Sequence, residues 1–213
     1  MIKTNKRGSL IVISGPSGSG KDTVCNALVE NNPQCWISVS CTSRAPRQNE
    51  IEGIHYYFLN KEQFEEKIKQ NEFLEYAKYN DSYYGTPKAI IEQKRNEGNH
   101  VILVIEVQGA LQIKNIIPDA IFIFLMPPSM VVLKQRLENR GTESQEKILS
   151  RFKTAYQEIN EMSKYNYVVV NDQVETAVHK IEAILTAEMC RVDRIEEVDL
   201  YTKEEILHES LMD

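Results

Sequence analysis

Long apolar runs, paired cysteines and an excess of basic residues are all missing from this sequence of 213 residues. No run approaches the roughly 20 apolar residues that cross a bilayer, and the N-terminal MIKTNKRGS lacks a signal-peptide pattern, so we expect a cytoplasmic protein without membrane contact. The four cysteines form no C-x-x-C pair and have no histidine at metal-ligand spacing, which predicts reduced thiols. Because 31 Asp and Glu outnumber 25 Lys and Arg, we do not expect nucleic-acid binding.

What the sequence does contain, 42% hydrophobic and 26% charged residues, is typical of one globular domain with lobes. Short apolar runs alternate with amphipathic segments, which predicts an α/β fold whose parallel strands are covered by helices on both faces. The buried strands are expected at 10–14, 101–105, 120–126 and 167–170. The helices are expected at about 20–30, 61–70 and 174–188.

Two stretches interrupt this alternation. Between Trp36 and Pro87, short aromatic-rich segments surround one helix, and we interpret residues 36–87 as an inserted small lobe. A polar, arginine-bearing stretch at about 138–153 is typical of a mobile flap. The core would then comprise about 8–35, 88–137 and 154–190, and the acidic stretch 191–213 is expected to form a surface helix or a frayed tail.

The stretch GPSGSGKDT satisfies every position of a phosphate-binding loop except one. Its glycines permit positive φ and the close approach of backbone N–H groups to an anion, while Lys21 adds a cation. The loop also joins a buried strand to a helix N-terminus, as the motif requires. We therefore predict that nucleotide phosphates bind to Gly15, Pro16, Ser17, Gly18, Ser19, Gly20, Lys21, Asp22 and Thr23.

The exception in the loop is Asp22, which stands where a serine or threonine normally offers a hydroxyl to Mg²⁺. A carboxylate about 4 Å from a phosphate charge would oppose binding by roughly 4 kcal/mol at an effective dielectric near 20. Asp22 could offset this by facing Mg²⁺, directly or through water, with Thr23 left for a phosphate oxygen. The alternative is that Asp22 caps the helix and turns outward.

A second cluster suited to an anion lies in the lobe. SVSCTSRAPR places Arg44 and Arg47 after an apolar strand, and Tyr56, Tyr84 and Thr86 follow. Arginine pairs bidentately with phosphate oxygens, and tyrosine hydroxyls can complete the shell. Taken alone, the arginines would be interpreted as solvated surface residues. Together with a phosphate loop they predict a two-substrate transfer site.

These motifs, in this order, resemble the guanylate kinase family over about residues 10–188. The matching segments are GPSGSGK, SVSCTSRAPR, GIHYYF, NEFLEYA, YYGTP, VQGALQ, RLENRGTES and VVVND. The resemblance implies a P-loop nucleoside monophosphate kinase fold with a five-stranded parallel sheet, a GMP-binding lobe and a helical lid. It also implies transfer of the γ-phosphoryl group of ATP to GMP with Mg²⁺ as cofactor, in purine metabolism and GMP recycling. The sequence does not fix the oligomeric state, and we expect a monomer or a homodimer.

The same resemblance assigns individual roles. GMP would be bound by Ser40, Arg44, Arg47, Tyr56, Glu75, Tyr84, Thr86 and Glu106. ATP would be bound by the loop with Arg136, Arg140 and Asn171, next to Asp172, and the catalytic residues would be Lys21, Arg44, Arg140 and Arg151. The chemistry of guanine supports Glu75 independently, because guanine presents N1–H and amino donors whereas adenine would leave a buried acceptor unpaired at a cost of about 1–3 kcal/mol.

The chain departs from the family where two acids usually precede VQGA, since it has Val104 and Glu106 there. Glu106 could contact GMP or order waters around Mg²⁺. Val104 either marks an acid whose role moved to Asp22 or simply packs against the sheet. Such departures leave two alternatives open, a guanylate-kinase-like binding module without catalysis and a kinase for another nucleoside monophosphate. The retained Lys21, Arg44 and Arg47 favour the enzyme.

Overall fold

The computed structural model describes residues 2–4, 7–79, 81–138 and 145–198. Its strands are β1 Ile2–Thr4, β2 Leu10–Ser14, β3 Cys35–Ile37, β4 Cys41–Thr42, β5 Tyr57–Phe58, β6 Phe73–Tyr79, β7 Ser82–Pro87, β8 His100–Val104, β9 Ile121–Met126, β10 Tyr167–Val170 and β11 Ile195–Val198. Its α-helices are α1 Lys21–Asn31, α2 Lys61–Lys69, α3 Lys88–Asn96, α4 Val107–Ile116, α5 Met130–Glu138, α6 Gln145–Asn160 and α7 Val174–Met189, and short 3-10 helices span Glu161–Lys164 and Val192–Arg194.

The central sheet contains five parallel strands in the order β10, β9, β2, β8, β3, which confirms the predicted fold class. The strands are mainly apolar because helices cover both faces of the sheet, and the polar residues Ser14 and His100 stand at strand ends. On one face α1 and α7 bury Val24, Leu28 and Ile181, and on the other α3 and α4 bury Ile91 and Ile113. Since the five strands run in one direction, the loops after their carboxyl ends share one edge of the sheet.

A second sheet, in the order β5, β4, β7, β6, occupies the stretch predicted to form an inserted lobe. Helix α2 begins with a capping box between Asn60 and Gln63 and covers this sheet with Phe64. The Phe64 ring stacks on Phe73 and on Tyr83, with ring centroids 4.5 and 5.2 Å apart. The lobe therefore has an apolar cluster of its own, while β6 also contacts α4 of the core.

The chain ends and the flap differ from what local patterns suggest. Residues 195–198 form a strand that pairs antiparallel with β1, opposite Ile2 and Thr4, where a surface helix or a frayed tail was expected. The partner strand is almost the whole chain away, so no local pattern could indicate it. Helix α6 runs without a break through residue 153, the predicted end of the flap. Residues 139–144, which include Arg140, and 199–213 lie outside the described residues.

Within the described ranges, no helix combines the length and the apolar content that crossing a bilayer requires.

Candidate active site

The phosphate-binding loop leaves the carboxyl end of β2 and leads into α1. Gly15 has a φ of 148° and Gly20 a φ of 91°, values that favour glycine. A Cβ at Gly15 would lie 2.2 Å from the carbonyl oxygen of Leu125, and one at Gly20 would lie 2.4 Å from Nδ2 of Asn171. The sequence needs glycine here because the loop is pressed against β9 and the segment after β10.

Two distant side chains hold the loop through the carbonyl oxygen of Ser19. Asn171 donates to it through Nδ2 at 2.7 Å, and Arg136 donates through Nη1 at 3.3 Å. Arg136 also donates through Nη2 to the carbonyl oxygen of Asn171, at 3.1 Å. Arg136 and Asn171, both predicted to bind ATP, therefore lie beside the loop.

Lys21 and Asp22 begin α1. Lys21 folds back over the loop and donates from Nζ to the carbonyl oxygen of Gly15 at 2.6 Å. Asp22 and Thr23 are exposed in the first turn of the helix. An acidic residue in this turn is favoured by the helix dipole.

Several buried polar atoms around the loop have no hydrogen-bond partner in the described part of the chain. They are the hydroxyl oxygens of Ser14, Ser19 and Tyr165, Oδ1 of Asn171 and Oε2 of Glu158. Each such atom costs about 1–3 kcal/mol when it is left unpaired in a protein interior. Their concentration at the carboxyl edge of the sheet suits a polar ligand with several donors and acceptors.

The second anion site contains Arg44, Tyr56 and Tyr84, which we call the Arg44 clamp. Arg44 Nε donates to the Tyr84 hydroxyl at 3.3 Å, and its Cζ lies 5.5 Å from the centroid of the Tyr56 ring. The rings of Tyr56 and Tyr84 meet edge to face with centroids 6.0 Å apart. Strands β4 and β7 pair Thr42 with Tyr84, which brings Arg44 to this tyrosine although 40 residues separate them.

The predicted guanine-binding residues Glu75 and Thr86 are brought together by the pairing of β6 with β7. The Thr86 hydroxyl donates to Oε1 of Glu75 at 2.5 Å, and both residues are buried. Burial raises the pKa of Glu75, while the hydrogen bond from Thr86 lowers it. A Cβ at Gly109 would lie 2.9 Å from Oε2 of Glu75, so the glycine of the VQGA motif leaves room for this carboxylate.

Two acids at the site were missed by sequence reasoning. Glu50 accepts hydrogen bonds from Arg44, and a position three residues after Arg47 is its only sequence signal. Glu158 points from α6 toward the loop. Burial and the neighbouring Glu106 raise the pKa of Glu158 to about 7, against the opposing effects of Lys21 and the backbone N–H of Ser17. Nothing in the local sequence sets Glu158 apart from other helix-surface acids.

The remaining predicted residues differ in their exposure. The Arg47 side chain is exposed, Ser40 is half-buried, and Arg151 is half-buried on α6. Glu106 is exposed at the N-terminus of α4. Val104 packs against the apolar cluster between the sheet and α1, as the packing alternative expects. Asp172 is exposed, and its carboxylate accepts the backbone N–H of Gln173.

A glycine-rich loop between a central parallel strand and a helix, next to a lobe with a second anion site, defines the class of P-loop nucleoside monophosphate kinases. Comparison with known proteins narrows this class. A model of the guanylate kinase family matches residues 7–188. The chain belongs to the guanylate kinase family, as its motifs predict.

Individual relatives span the whole chain. A guanylate kinase of Clostridium tetani is 57% identical over 98% of this chain and 100% of its own length. One from Clostridium perfringens is 55% identical over 100% of this chain and 98% of its own length. Among solved structures, guanylate kinase from Anaplasma phagocytophilum superposes with a TM-score of 0.74 at 32% identity, over 98% of this chain and 97% of its own.

Glu158 generates a prediction about stability. Its carboxyl has an ordinary pKa of 4.5 when unfolded and about 7 when folded, so only the unfolded chain releases this proton as the pH rises between these values. The wild type therefore loses stability over that window, and Glu158→Gln does not. Chemical denaturation should show that the free energy of unfolding of the variant, relative to that of the wild type, rises by on the order of 1 kcal/mol from pH 5 to pH 8. The expected change is small because the carboxyl is partly solvent-accessible.

The matched control for this measurement is Glu30→Gln, which removes an exposed carboxylate on α1. Its stability relative to the wild type should be the same at both pH values. If Glu158→Gln behaved like this control, the buried-carboxyl interpretation would be wrong.

Proposed function

We propose that the chain transfers the γ-phosphoryl group of ATP to GMP, giving ADP and GDP. The observation that carries this proposal is the presence of two anion sites in one chain, the phosphate loop on the core and the Arg44 clamp on the lobe, where core and lobe contact each other through α4 and β6. Burial raises the pKa of Tyr56, and the charges that raise it further include that of Asp22. The beginning of α1 is therefore within electrostatic range of the clamp, as transfer between two bound nucleotides requires.

GMP is held at both ends in this proposal. The Arg44 clamp, with Arg47, binds the phosphate, and Glu75 accepts hydrogen bonds from N1–H and the amino group of guanine. The hydroxyls of Ser40 and Thr86 complete the polar set around the base. Because Glu75 is buried, its charge is stabilised only when donors face it, and guanine supplies two of them.

ATP is bound by the loop. Backbone N–H groups at the N-terminus of α1 surround its phosphates, and Lys21 exchanges the Gly15 carbonyl for a phosphate oxygen. Partnerless polar atoms such as the Ser19 hydroxyl gain partners when phosphates and their waters enter. Arg136 and Asn171 keep the loop in shape through Ser19, and Asn171 retains a free acceptor for the nucleotide.

Asp22 and Thr23 fit a Mg²⁺ ion that arrives with ATP. Mg²⁺ takes one or two protein oxygens together with phosphates and waters, and it neutralises phosphate charge. Both residues offer exposed oxygens in the first turn of α1, next to the loop. In the ranges that the structure describes, no cluster of His, Cys, Asp or Glu is suited to hold a metal by itself. An ion shared with the phosphates needs no such cluster.

Catalysis in this proposal consists of alignment and charge neutralisation, because phosphoryl transfer requires little covalent chemistry from the protein. Lys21 acts from the ATP side and Arg44 from the GMP side. Arg151 on α6 and Arg140 add positive charge when the lobes close. Closure also excludes water, which would otherwise accept the phosphoryl group in place of GMP.

The decisive experiment measures ADP release with GMP, AMP, UMP and CMP, each with and without Mg²⁺. We expect turnover with GMP, and a loss in kcat/KM of about 10- to 100-fold in Glu75→Gln, because an amide presents a donor to the donors of guanine. A preference for another nucleotide would contradict the assignment of Glu75. Absence of turnover with all four would instead indicate a binding module.

Gly109 allows a second test of the guanine site. Gly109→Ala should displace the Glu75 carboxylate and raise the KM for GMP by roughly tenfold, the effect of about 1.4 kcal/mol. It should leave the KM for ATP unchanged, and alanine should raise helix stability by up to about 1 kcal/mol. The control is Asn115→Ala on the exposed side of the same helix. A Gly109→Ala enzyme with normal GMP kinetics would show that Glu75 need not lie where we place it.

Asp22 is tested by restoring the usual hydroxyl. If Asp22 faces the metal, Asp22→Ser should shift the Mg²⁺ concentration for half-maximal rate by up to about tenfold, the change that roughly 1.4 kcal/mol of altered binding produces. Calorimetric titration of the variant with ATP, with and without Mg²⁺, provides a readout independent of turnover. Unaltered Mg²⁺ dependence and turnover would remove the metal role and leave the outward-facing alternative.

A further inference from the structure

The Arg44 clamp contains a carboxylate that the proposed function does not use. Glu50 accepts from Arg44 with both oxygens, Oε1 from Nη2 at 2.8 Å and Oε2 from Nη1 at 2.9 Å. The pair is largely enclosed, with 19% of the Arg44 side chain and 14% of the Glu50 side chain exposed. A bidentate pair of this kind fixes the plane of the guanidinium as well as its position.

The backbone holds Glu50 in turn. Its Oε2 accepts the backbone N–H of Arg47 at 2.7 Å, and its own N–H donates to the carbonyl oxygen of Arg47 at 3.0 Å. These reciprocal bonds close the turn at 47–50 and leave the carboxylate little freedom. Glu50 is therefore a fixed acceptor against which Arg44 is aligned.

The alignment of Arg44 with Glu50 leaves one N–H donor of the guanidinium for a ligand. Arginine has five N–H donors. Nη1 donates to Glu50 and to the carbonyl oxygen of Ala45, at 2.9 and 2.6 Å, Nη2 donates once to Glu50, and Nε donates to the Tyr84 hydroxyl at a long 3.3 Å. Among the described residues, the second N–H of Nη2 has no acceptor. The edge formed by Nε and Nη2, on the side of Tyr84, is thus the edge that remains for phosphate.

We propose that Glu50 is a positioning residue for GMP, which holds one edge of the Arg44 guanidinium so that the other edge faces the GMP phosphate beside Tyr84. This inference rests on the proposed function of the Arg44 clamp. Two effects of Glu50 oppose each other, since its negative charge repels a phosphate while its hydrogen bonds orient the arginine. The guanidinium of Arg44 lies between the Glu50 carboxylate and the GMP phosphate and screens their repulsion. The gain from orienting the arginine therefore exceeds the cost of that repulsion.

The test compares GMP with guanosine, which lacks the phosphate. Calorimetry should show that Glu50→Gln weakens GMP binding by about 10- to 100-fold, the range seen when a residue that orients a binding group is removed from a metal site. Guanosine affinity and the KM for ATP should stay unchanged. A general disturbance of the lobe would change these values as well. Glu50→Asp keeps the charge but is one methylene shorter, and it should recover part of the affinity.

The matched control is Glu52→Gln. Glu52 lies in the same loop and accepts the backbone N–H of Phe58 at 2.9 Å, away from Arg44. This variant should bind GMP as the wild type does. If both variants lost GMP affinity equally, the loss would come from a less stable loop, and the inference would be overturned. Glu50→Gln binding GMP as tightly as the wild type, or more tightly, would overturn it as well. If instead the wild type bound GMP no better than guanosine, the clamp assignment under the proposed function would itself be wrong.

Discussion

The carbonyl oxygen of Ser19 is the point on which the arrangement of the site depends. It receives hydrogen bonds from Asn171, after the edge strand β10, and from Arg136 on α5, so three separate segments meet at one backbone atom. The loop that carries this oxygen contains three glycines with positive φ, Gly15, Gly18 and Gly20. Glycine has little conformational preference of its own, so contacts from other segments are needed to hold the loop in one shape. Its shape in turn directs the N-terminus of α1 and Lys21 toward the edge of the sheet where the lobe contributes its own residues.

A protein with a net charge of −6 that handles two phosphorylated substrates must control the acids near its site. Each acid at the site is controlled differently. Glu50 is paired with Arg44, Glu75 is buried against Thr86, and burial raises the pKa of Glu158 to about 7, so that its negative charge is only partial near neutral pH. Asp22 stays exposed at a helix N-terminus, where the dipole favours it. Of these four acids, Glu50 orients a positive group of the site, because it holds the guanidinium of Arg44 through two hydrogen bonds.

Sequence reasoning succeeded where chemistry is encoded by neighbours in the chain. The loop, the strand before it and the helix after it form one continuous motif, and the alternation of apolar runs indicated four of the five strands of the parallel sheet. The short strand β3, Cys35–Ile37, was missed because it has only three residues, two of which fall in the stretch assigned to the lobe. It failed where distant segments meet. The pairing of β1 with β11, the approach of Glu158 to the loop and the space that Gly109 leaves for Glu75 all join residues that local patterns treat as unrelated. The individual roles of Ser40, Arg47 and Arg151 remain predictions.

The pairing of β1 with β11 has a mechanical consequence. Ile2 lies opposite Val198 and Thr4 opposite Ile195, so the outermost residues of the two strands are partners. A force that pulls Ile2 and Val198 apart would separate the paired residues one pair after another, because the force acts on a single pair at a time. The parallel strands of the central sheet would bear no force until β1 and β11 had separated. A pulling experiment on these two strands would therefore record two unfolding events in succession.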